Sequence, residues 1–257
     1  MERFENLRPM NLQTALVMFL VPAFLMLINV YFIMGIFNNI GLSFFYNYSI
    51  IYGIIPLSLL LFLSVFLYKK EGNDMNWISF NSRFRFKKLS KSDLAWSIGL
   101  FVVMLLGTVI FKFTSSIIAE YIKPPSYWPD ELNPLVSTNS TSIPVTFMDE
   151  KLTGNWLIFI FVLINIILVS FSEEFMWRGY ILPRQELQYG NKAWIVHGFL
   201  WTLFHLFTPW NLILLLPGAL ALSYVAQKRK NNSIVILAHG LVDGLLTLII
   251  ILFGILQ

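Results

Sequence analysis

The sequence predicts an all-α protein, a bundle of about seven to eight transmembrane helices. Of its 257 residues, 57% are hydrophobic and only 12% are charged, whereas an ordinary soluble domain carries about 25% charged residues. Several apolar runs reach the roughly 20 residues that a helix needs to cross a bilayer. Backbone groups in lipid must be hydrogen-bonded internally, and the sequence lacks the alternating strands of about ten residues that a closed barrel requires.

The N-terminal part, residues 1–154, is predicted to contain three spans. A polar lead with Arg3 and Arg8 precedes the first span at 12–37, which is too long for the core of a signal peptide. An uncharged stretch at 38–49 is typical of a short loop, and the second span follows at 50–68. The third span is predicted at 94–119. Five prolines among serines and threonines then indicate an extended loop at 120–154.

The C-terminal part, residues 155–257, is predicted to be the functional helical core of a single integral membrane domain. Its first span begins near residue 155, and a polar connection follows Pro183. The next span covers 193–207, and 208–211 form a turn. A span at 212–226 is expected to be interrupted at Pro217-Gly218, and the last span covers 233–253.

Residues 69–93 are the most basic stretch, with seven lysines and arginines interleaved with aromatic residues. Such a pattern fits either a nucleic-acid patch or a segment that lies on anionic lipid headgroups. Its position beside two spans favours the lipid interpretation. We therefore expect the lipid bilayer as a partner and no nucleic acid.

The distribution of basic residues predicts the orientation. With seven spans and a cytoplasmic N-terminus, fifteen of the 18 lysines and arginines face inward: two in the lead, seven in 69–93, three in 178–192 and three in 228–230. An excess of positive charge on cytoplasmic loops is the usual pattern. The sequence therefore predicts a multi-pass protein of the cell membrane, with 120–154 on the external side.

The stretch Ser-Glu-Glu-Phe-Met-Trp-Arg-Gly at 172–179 directly follows an apolar run long enough to be a membrane helix. Ionisable residues at such a place are rare and usually functional. If the helix continues, Glu174 and Arg178 are four residues apart and can pair, while Glu173 points about 100° away. Glu173 would then stay available for proton transfer. The alternative is an ion-pair cluster that caps a helix at the membrane surface.

All three histidines follow this motif. His205 lies in the fifth predicted span, and His239 lies in the last one, four residues before Asp243 and hence on the same helix face. Asp243 can orient the imidazole of His239 or form an interhelical hydrogen bond. His197 is expected at the cytoplasmic end of its span, in a structural role.

These residue types suit the hydrolysis of a carbonyl compound. A carboxylate and an imidazole that share one water can deprotonate it, and a second polar group can stabilise the oxyanion. A His₂Glu site for a divalent metal such as zinc, formed by Glu173, His205 and His239, is the rival arrangement. The chain contains no cysteine, no His-Glu-x-x-His pattern and no Gly-x-Ser-x-Gly elbow.

Water activation also makes a geometric demand. Glu173, His205 and His239 should converge on one water-accessible cavity inside the bundle. Straight, upright helices would place His205 too far outward, at roughly 18 Å along its span. We therefore expect the fourth helix to run unbroken through Arg178, which would bring both glutamates below the membrane surface.

The motif order resembles the CPBP family, which includes the type II CAAX prenyl endopeptidases and the bacterial Abi group of bacteriocin-processing or immunity proteins. The resemblance covers about 155–250 and rests on Glu-Glu-x-x-x-Arg, aromatic-x-x-x-His and His-x-x-x-Asp. It implies an intramembrane endopeptidase whose catalytic residues are Glu173, Glu174, Arg178, His205, His239 and Asp243. Glu173 and His205 would activate water, Glu174 and Arg178 would support the site, and His239 and Asp243 would help to bind the oxyanion.

Two positions depart from the family pattern. Trp201 replaces the usual Phe of the second motif, and Asp243 replaces the usual Asn of the third. An ionised Asp243 cannot donate a hydrogen bond to an oxyanion.

The implied substrate is a peptide or protein that is embedded in or associated with the membrane. The sequence identifies neither the substrate nor the oligomeric state. Two other function classes stay open: a non-proteolytic membrane scaffold or bacteriocin-immunity protein of the same fold, and a transporter that uses the polar cluster as an ion site.

Overall fold

Helices form almost all of the computed structural model, which describes residues 7–136 and 144–257. Arg3 and residues 137–143 of the predicted external loop lie outside the described residues. The α-helices are α1 (Leu12–Ile28), α2 (Met34–Asn39), α3 (Phe44–Tyr46), α4 (Ile55–Lys70), α5 (Trp77–Arg83), α6 (Lys91–Tyr121), α7 (Trp156–Glu173), α8 (Leu182–Tyr189), α9 (Ala193–Phe204), α10 (Leu212–Arg229) and α11 (Asn232–Ile255).

Three π-helices continue α-helices without a break: π1 (Asn29–Ile33), π2 (Asn47–Ile54) and π3 (Glu174–Ile181). Short 3-10 helices occur at Asp130–Leu132, Gly190–Lys192, His205–Phe207 and Pro209–Asn211. Within the predicted loop at 120–154, β1 (Thr146–Phe147) and β2 (Glu150–Lys151) form a small antiparallel hairpin. The all-α polytopic architecture is thus confirmed.

Six helical segments in the described chain are long and apolar enough to cross a membrane: Leu12–Asn39, Phe44–Lys70, Lys91–Tyr121, Trp156–Phe207, Pro209–Arg229 and Asn232–Ile255. The predicted count of seven to eight spans is therefore not confirmed. The difference lies in the fourth segment, whose 52 residues contain both the fourth and the fifth predicted spans.

The fourth segment turns back on itself at Gly190. At a rise of 1.5 Å per residue, 52 residues in a straight line would measure about 78 Å, far more than a bilayer core of about 30 Å. Gly190 has φ +55 and ψ −131, a backbone conformation that favours glycine. The turn allows α8 to pack against α9.

Three local predictions were wrong. Residues 44–49 are helical rather than a loop, because Asn47 turns inward and donates to the backbone oxygen of Met34 at 2.8 Å. The connection after Pro183 is α8. α10 continues through Pro217, which packs against Gly107 of α6, and neighbouring helices commonly allow prolines within membrane helices.

Helix α6 shows how local sequence sets a helix start at the basic end of the bundle. The Ser90 hydroxyl accepts from the backbone N–H of Asp93 at 3.1 Å, and the Asp93 carboxylate accepts from the backbone N–H of Ser90 at 3.0 Å. This reciprocal pair is a capping box. Arg229, at the end of α10, adds an ion pair to Asp93 at 2.8 Å, so the sequence that starts α6 also joins it to α10.

Glu71 links three distant parts of the chain at the same end. Its carboxylate bonds Arg83 at 2.7 Å and also bonds Arg184 of α8, and Arg184 donates to the backbone oxygen of Arg8 at 3.0 Å. Burial alone would raise the pKa of Glu71, but the hydrogen bonds and charges of Arg83 and Arg184 outweigh it and lower that pKa.

Glu186 makes a second link of the same kind. It bonds Arg85 through two oxygens, at 2.8 and 2.9 Å, and it also bonds Lys230. The lead, the 69–93 stretch, α8 and the 228–230 stretch, which the charge pattern predicted to share one side, thus lie together. Which side of the membrane they face stays a prediction.

Candidate active site

The Glu-Glu motif lies inside the bundle, and its second glutamate is the centre of a buried network. Glu174 pairs with Arg178 at 3.0 Å, and neither side chain is exposed. The same carboxylate oxygen lies 2.9 Å from Nδ1 of His239 on α11. The Arg178 guanidinium also lies over the Trp201 ring, 4.3 Å from its centroid. The pairing that the four-residue spacing predicted is present, and it joins three helical segments.

Glu173 points in another direction, as the rotation per residue requires. Its Oε2 accepts a hydrogen bond from the indole N–H of Trp201 at 2.8 Å, and its side chain lines an internal cavity. Trp201 is therefore more than an aromatic spacer, because it fixes the orientation of one glutamate and covers the arginine that holds the other. The sequence gave no signal for this role beyond the presence of an indole in a polar helix face.

His205 lies where α9 changes to a 3-10 turn. Its Nδ1 is 2.9 Å from the backbone oxygen of Trp201, and because a carbonyl only accepts, this nitrogen must carry the proton. In the neutral ring, Nε2 is then unprotonated and can accept a proton or bind an electrophile. His205 also lines the cavity.

His239 is held between two carboxylates. Its Nδ1 faces Glu174, and its Nε2 lies 3.2 Å from Oδ2 of Asp243, one turn further along α11. Both interactions are hydrogen bonds when both ring nitrogens carry a proton. The predicted orientation of His239 by Asp243 is therefore seen, together with a second partner from the Glu-Glu motif.

The cavity has a volume of about 820 Å³ and opens on one side between α1 and α4. Glu173, His205, His239 and Asp243 line its polar end together with Trp201. Glu174 and Arg178 do not line it and lie behind the wall. The cavity rim includes apolar residues that are more than half exposed, Leu25 of α1 and Leu59 of α4, so the opening faces the side of the bundle that lipid would cover.

The course of the chain explains how His205 reaches the level of Glu173. The helix continues past Glu173 through π3 and α8 for 16 residues before it turns at Gly190. α9 then brings the chain back over 12 residues to His205. The expected continuation through Arg178 is present, although it takes the wider π form from Glu174 onward.

Two sets of residues differ from expectation. His197 is fully buried rather than at an interface; it contacts Gln185 at 2.6 Å and does not line the cavity. Tyr48 and Tyr52 of π2 do line it, and sequence reasoning missed them. Two tyrosines four residues apart in an apolar span were the available signal.

The described residues do not form a metal site as they are arranged. No group of three or more acidic or histidine side chains within residues 7–136 and 144–257 is placed to hold an ion. The reason is visible at His239, where each ring nitrogen already faces a carboxylate. The set Glu173, His205 and His239 would need His239 to release one of these partners.

The family model described as type II CAAX prenyl endopeptidase Rce1-like matches residues 155–245. This stretch runs from the residue before α7 into α11 and contains all six predicted site residues. A search of curated proteins and of solved structures gave no match to the chain. The match supports a protease of the CAAX type whose substrate lies in or at the membrane. Residues 155–245, in a chain with six potential membrane spans, identify it as a member of the CPBP family of intramembrane proteases.

Proposed function

We propose that this protein is an intramembrane endopeptidase in which Glu173 and His205 activate the attacking water. The observation that carries the proposal is that a carboxylate and an unprotonated imidazole nitrogen line the polar end of the same cavity. Both groups lie within the bundle rather than at a helix end, which argues against a simple capping cluster.

Each group has a role that its contacts support. Glu173, held on one oxygen by Trp201, takes a proton from water and later gives it to the leaving amine. Nε2 of His205 accepts the second hydrogen bond of that water. His239, between Glu174 and Asp243, places a ring with two N–H groups on the cavity wall, where positive charge stabilises a developing oxyanion.

Glu174 and Arg178 are positioning residues in this scheme. They do not reach the cavity, but Glu174 holds His239 and Arg178 supports the face of Trp201. Through these two contacts they fix the groups that do reach it. Loss of either is expected to disturb the geometry rather than to remove a reacting atom.

The open side of the cavity favours a substrate that is membrane-associated. Exposed apolar residues of α1 and α4 form the rim, and an extended peptide that carries an apolar segment can enter there without leaving the lipid phase. The polar end then receives the scissile peptide bond.

The test is peptide cleavage by the purified protein in lipid nanodiscs, with a panel of quenched fluorescent peptides that carry a lipid anchor or an apolar segment. Glu173→Gln and His205→Ala should lower kcat by about a hundred- to ten-thousand-fold at unchanged abundance. Glu120→Gln, an exposed carboxylate, and His197→Ala, a histidine outside the cavity, are the matched controls.

The scaffold and immunity alternatives make the opposite prediction. If the cellular function persists in Glu173→Gln and His205→Ala at normal protein level, the protein acts by binding partners rather than by hydrolysis, and the catalytic assignment is wrong.

A further inference from the structure

The second π-helix brings two tyrosines to the cavity from a part of the chain outside the matched residues 155–245. Tyr48 and Tyr52 of π2 both line the cavity that contains Glu173 and His205. Their rings stack, with centroids 4.5 Å apart and planes 19° from parallel. π-Helices are rare and often occur at functional sites. We therefore asked what these hydroxyl groups can supply.

Close contacts hold π2 in place. A Cβ atom at Gly53 would lie 1.8 Å from Oδ1 of Asn165 on α7, so only glycine permits this approach. Asn165 is itself fixed, because its amide donates to the backbone oxygen of Phe161 at 2.9 Å. On the other side, Asn29 of π1 donates to the backbone oxygen of Ile51 at 2.7 Å. Tyr52 is thus positioned relative to α7, which carries Glu173.

Tyr52 is separated from His205 by one aromatic ring. The ring of Phe207 lies 6.0 Å from that of Tyr52 and 5.5 Å from that of His205, between centroids. Tyr52 is partly exposed, and that exposure is towards the cavity.

The site needs a hydrogen-bond donor that its other residues do not provide. The N–H of Trp201 is directed at Glu173, and Nδ1–H of His205 is directed at a carbonyl. Both nitrogens of His239 face carboxylates, and an ionised Asp243 only accepts. A tyrosine hydroxyl keeps its proton at neutral pH and is free to donate.

We propose that Tyr52 is a further catalytic residue, which donates a hydrogen bond to the oxyanion, and that Tyr48 positions its ring by stacking. The proposal rests on the proposed function. As water oxygen bonds to the peptide carbon, the carbonyl electron pair moves to oxygen and one water proton moves to Glu173. Tyr52 keeps its proton and stabilises the negative oxygen. When the carbon–nitrogen bond breaks, that electron pair returns and the proton on Glu173 goes to the amine.

The experiment compares Tyr52→Phe and Tyr48→Phe with wild type in the nanodisc cleavage assay. Tyr46→Phe is the matched control, because Tyr46 precedes the same π-helix but does not line the cavity. Tyr52→Phe should lower kcat by about a hundred- to a thousand-fold with KM nearly unchanged, as for loss of one oxyanion donor. Tyr48→Phe keeps the stacked ring and should lose less than about tenfold.

A second measurement separates catalysis from packing. A peptide phosphinate that mimics the tetrahedral intermediate should lose about the same factor in affinity for Tyr52→Phe, whereas an uncleaved substrate peptide should bind as before. Wild-type kcat and phosphinate affinity in Tyr52→Phe would overturn the assignment, as would an equal loss of affinity for both ligands. If Glu173→Gln also keeps wild-type activity, the proposed function itself is wrong; if Glu173→Gln is inactive, only the role of Tyr52 is refuted.

Discussion

Replacement of Glu174 by Gln should destabilise the protein far more than the same replacement one residue earlier. Arg178 is fully buried, and its charge faces Glu174 at 3.0 Å. Removal of one partner from a buried ion pair leaves an uncompensated charge and costs about 3–5 kcal/mol. At roughly 2–4 °C per kcal/mol for a chain of this size class, the melting temperature should fall by about 6–20 °C.

Glu173→Gln is the matched control, because Glu173 is the adjacent glutamate and its nearest polar partner is the indole of Trp201. It should change the melting temperature by only a few degrees. The measurement is thermal unfolding in one detergent, followed by tryptophan fluorescence. In the double variant Glu174→Leu/Arg178→Met both charges are absent, and replacement of a buried pair by apolar residues is often neutral. Equal destabilisation by the two single Gln variants would refute the reasoning.

Two further predictions concern the basic end of the bundle. Single cysteines at Lys88 and Lys123, in a chain without native cysteine, should be labelled from opposite sides of the membrane; labelling of both from one side would refute the orientation. Because the pKa of Glu71 is lowered in the folded state, its stabilising contribution is present above the unfolded pKa of about 4.3 and is lost as the pH falls through the folded value. Wild type should therefore lose more stability between about pH 5 and pH 3 than Glu71→Gln, measured by thermal unfolding; equal acid sensitivity would contradict this.

The fold class followed from composition and apolar runs, because the bilayer leaves the backbone few alternatives. The Glu174–Arg178 pair and the His239–Asp243 pair followed from spacing alone, since each needs only one helical turn. What the sequence could not predict are contacts between segments that are far apart in the chain. Trp201 meets Glu173, Glu174 meets His239, and Gly53 meets Asn165, and none of these has a periodic signature.

Local irregularities also escaped prediction for a physical reason. A polar stretch predicts a loop only if its polar groups need water, but Asn47 finds a backbone oxygen inside the bundle. The turn at Gly190 was missed as a feature because its one glycine stands among residues with good helix propensity. Tertiary packing decided both cases.

The wide helical turns at 174–181 make the length of this segment as restrictive as its composition. A π-turn closes its hydrogen bond over one more residue than an α-turn. Deletion of a single residue there would let the segment relax to the α form and would rotate everything that follows by about 100°. Arg178 would leave Glu174, and α8 would meet Glu71 and Arg85 with the wrong face. Point insertions and deletions in this stretch should therefore be tolerated far less than substitutions, even conservative in size, at the same positions.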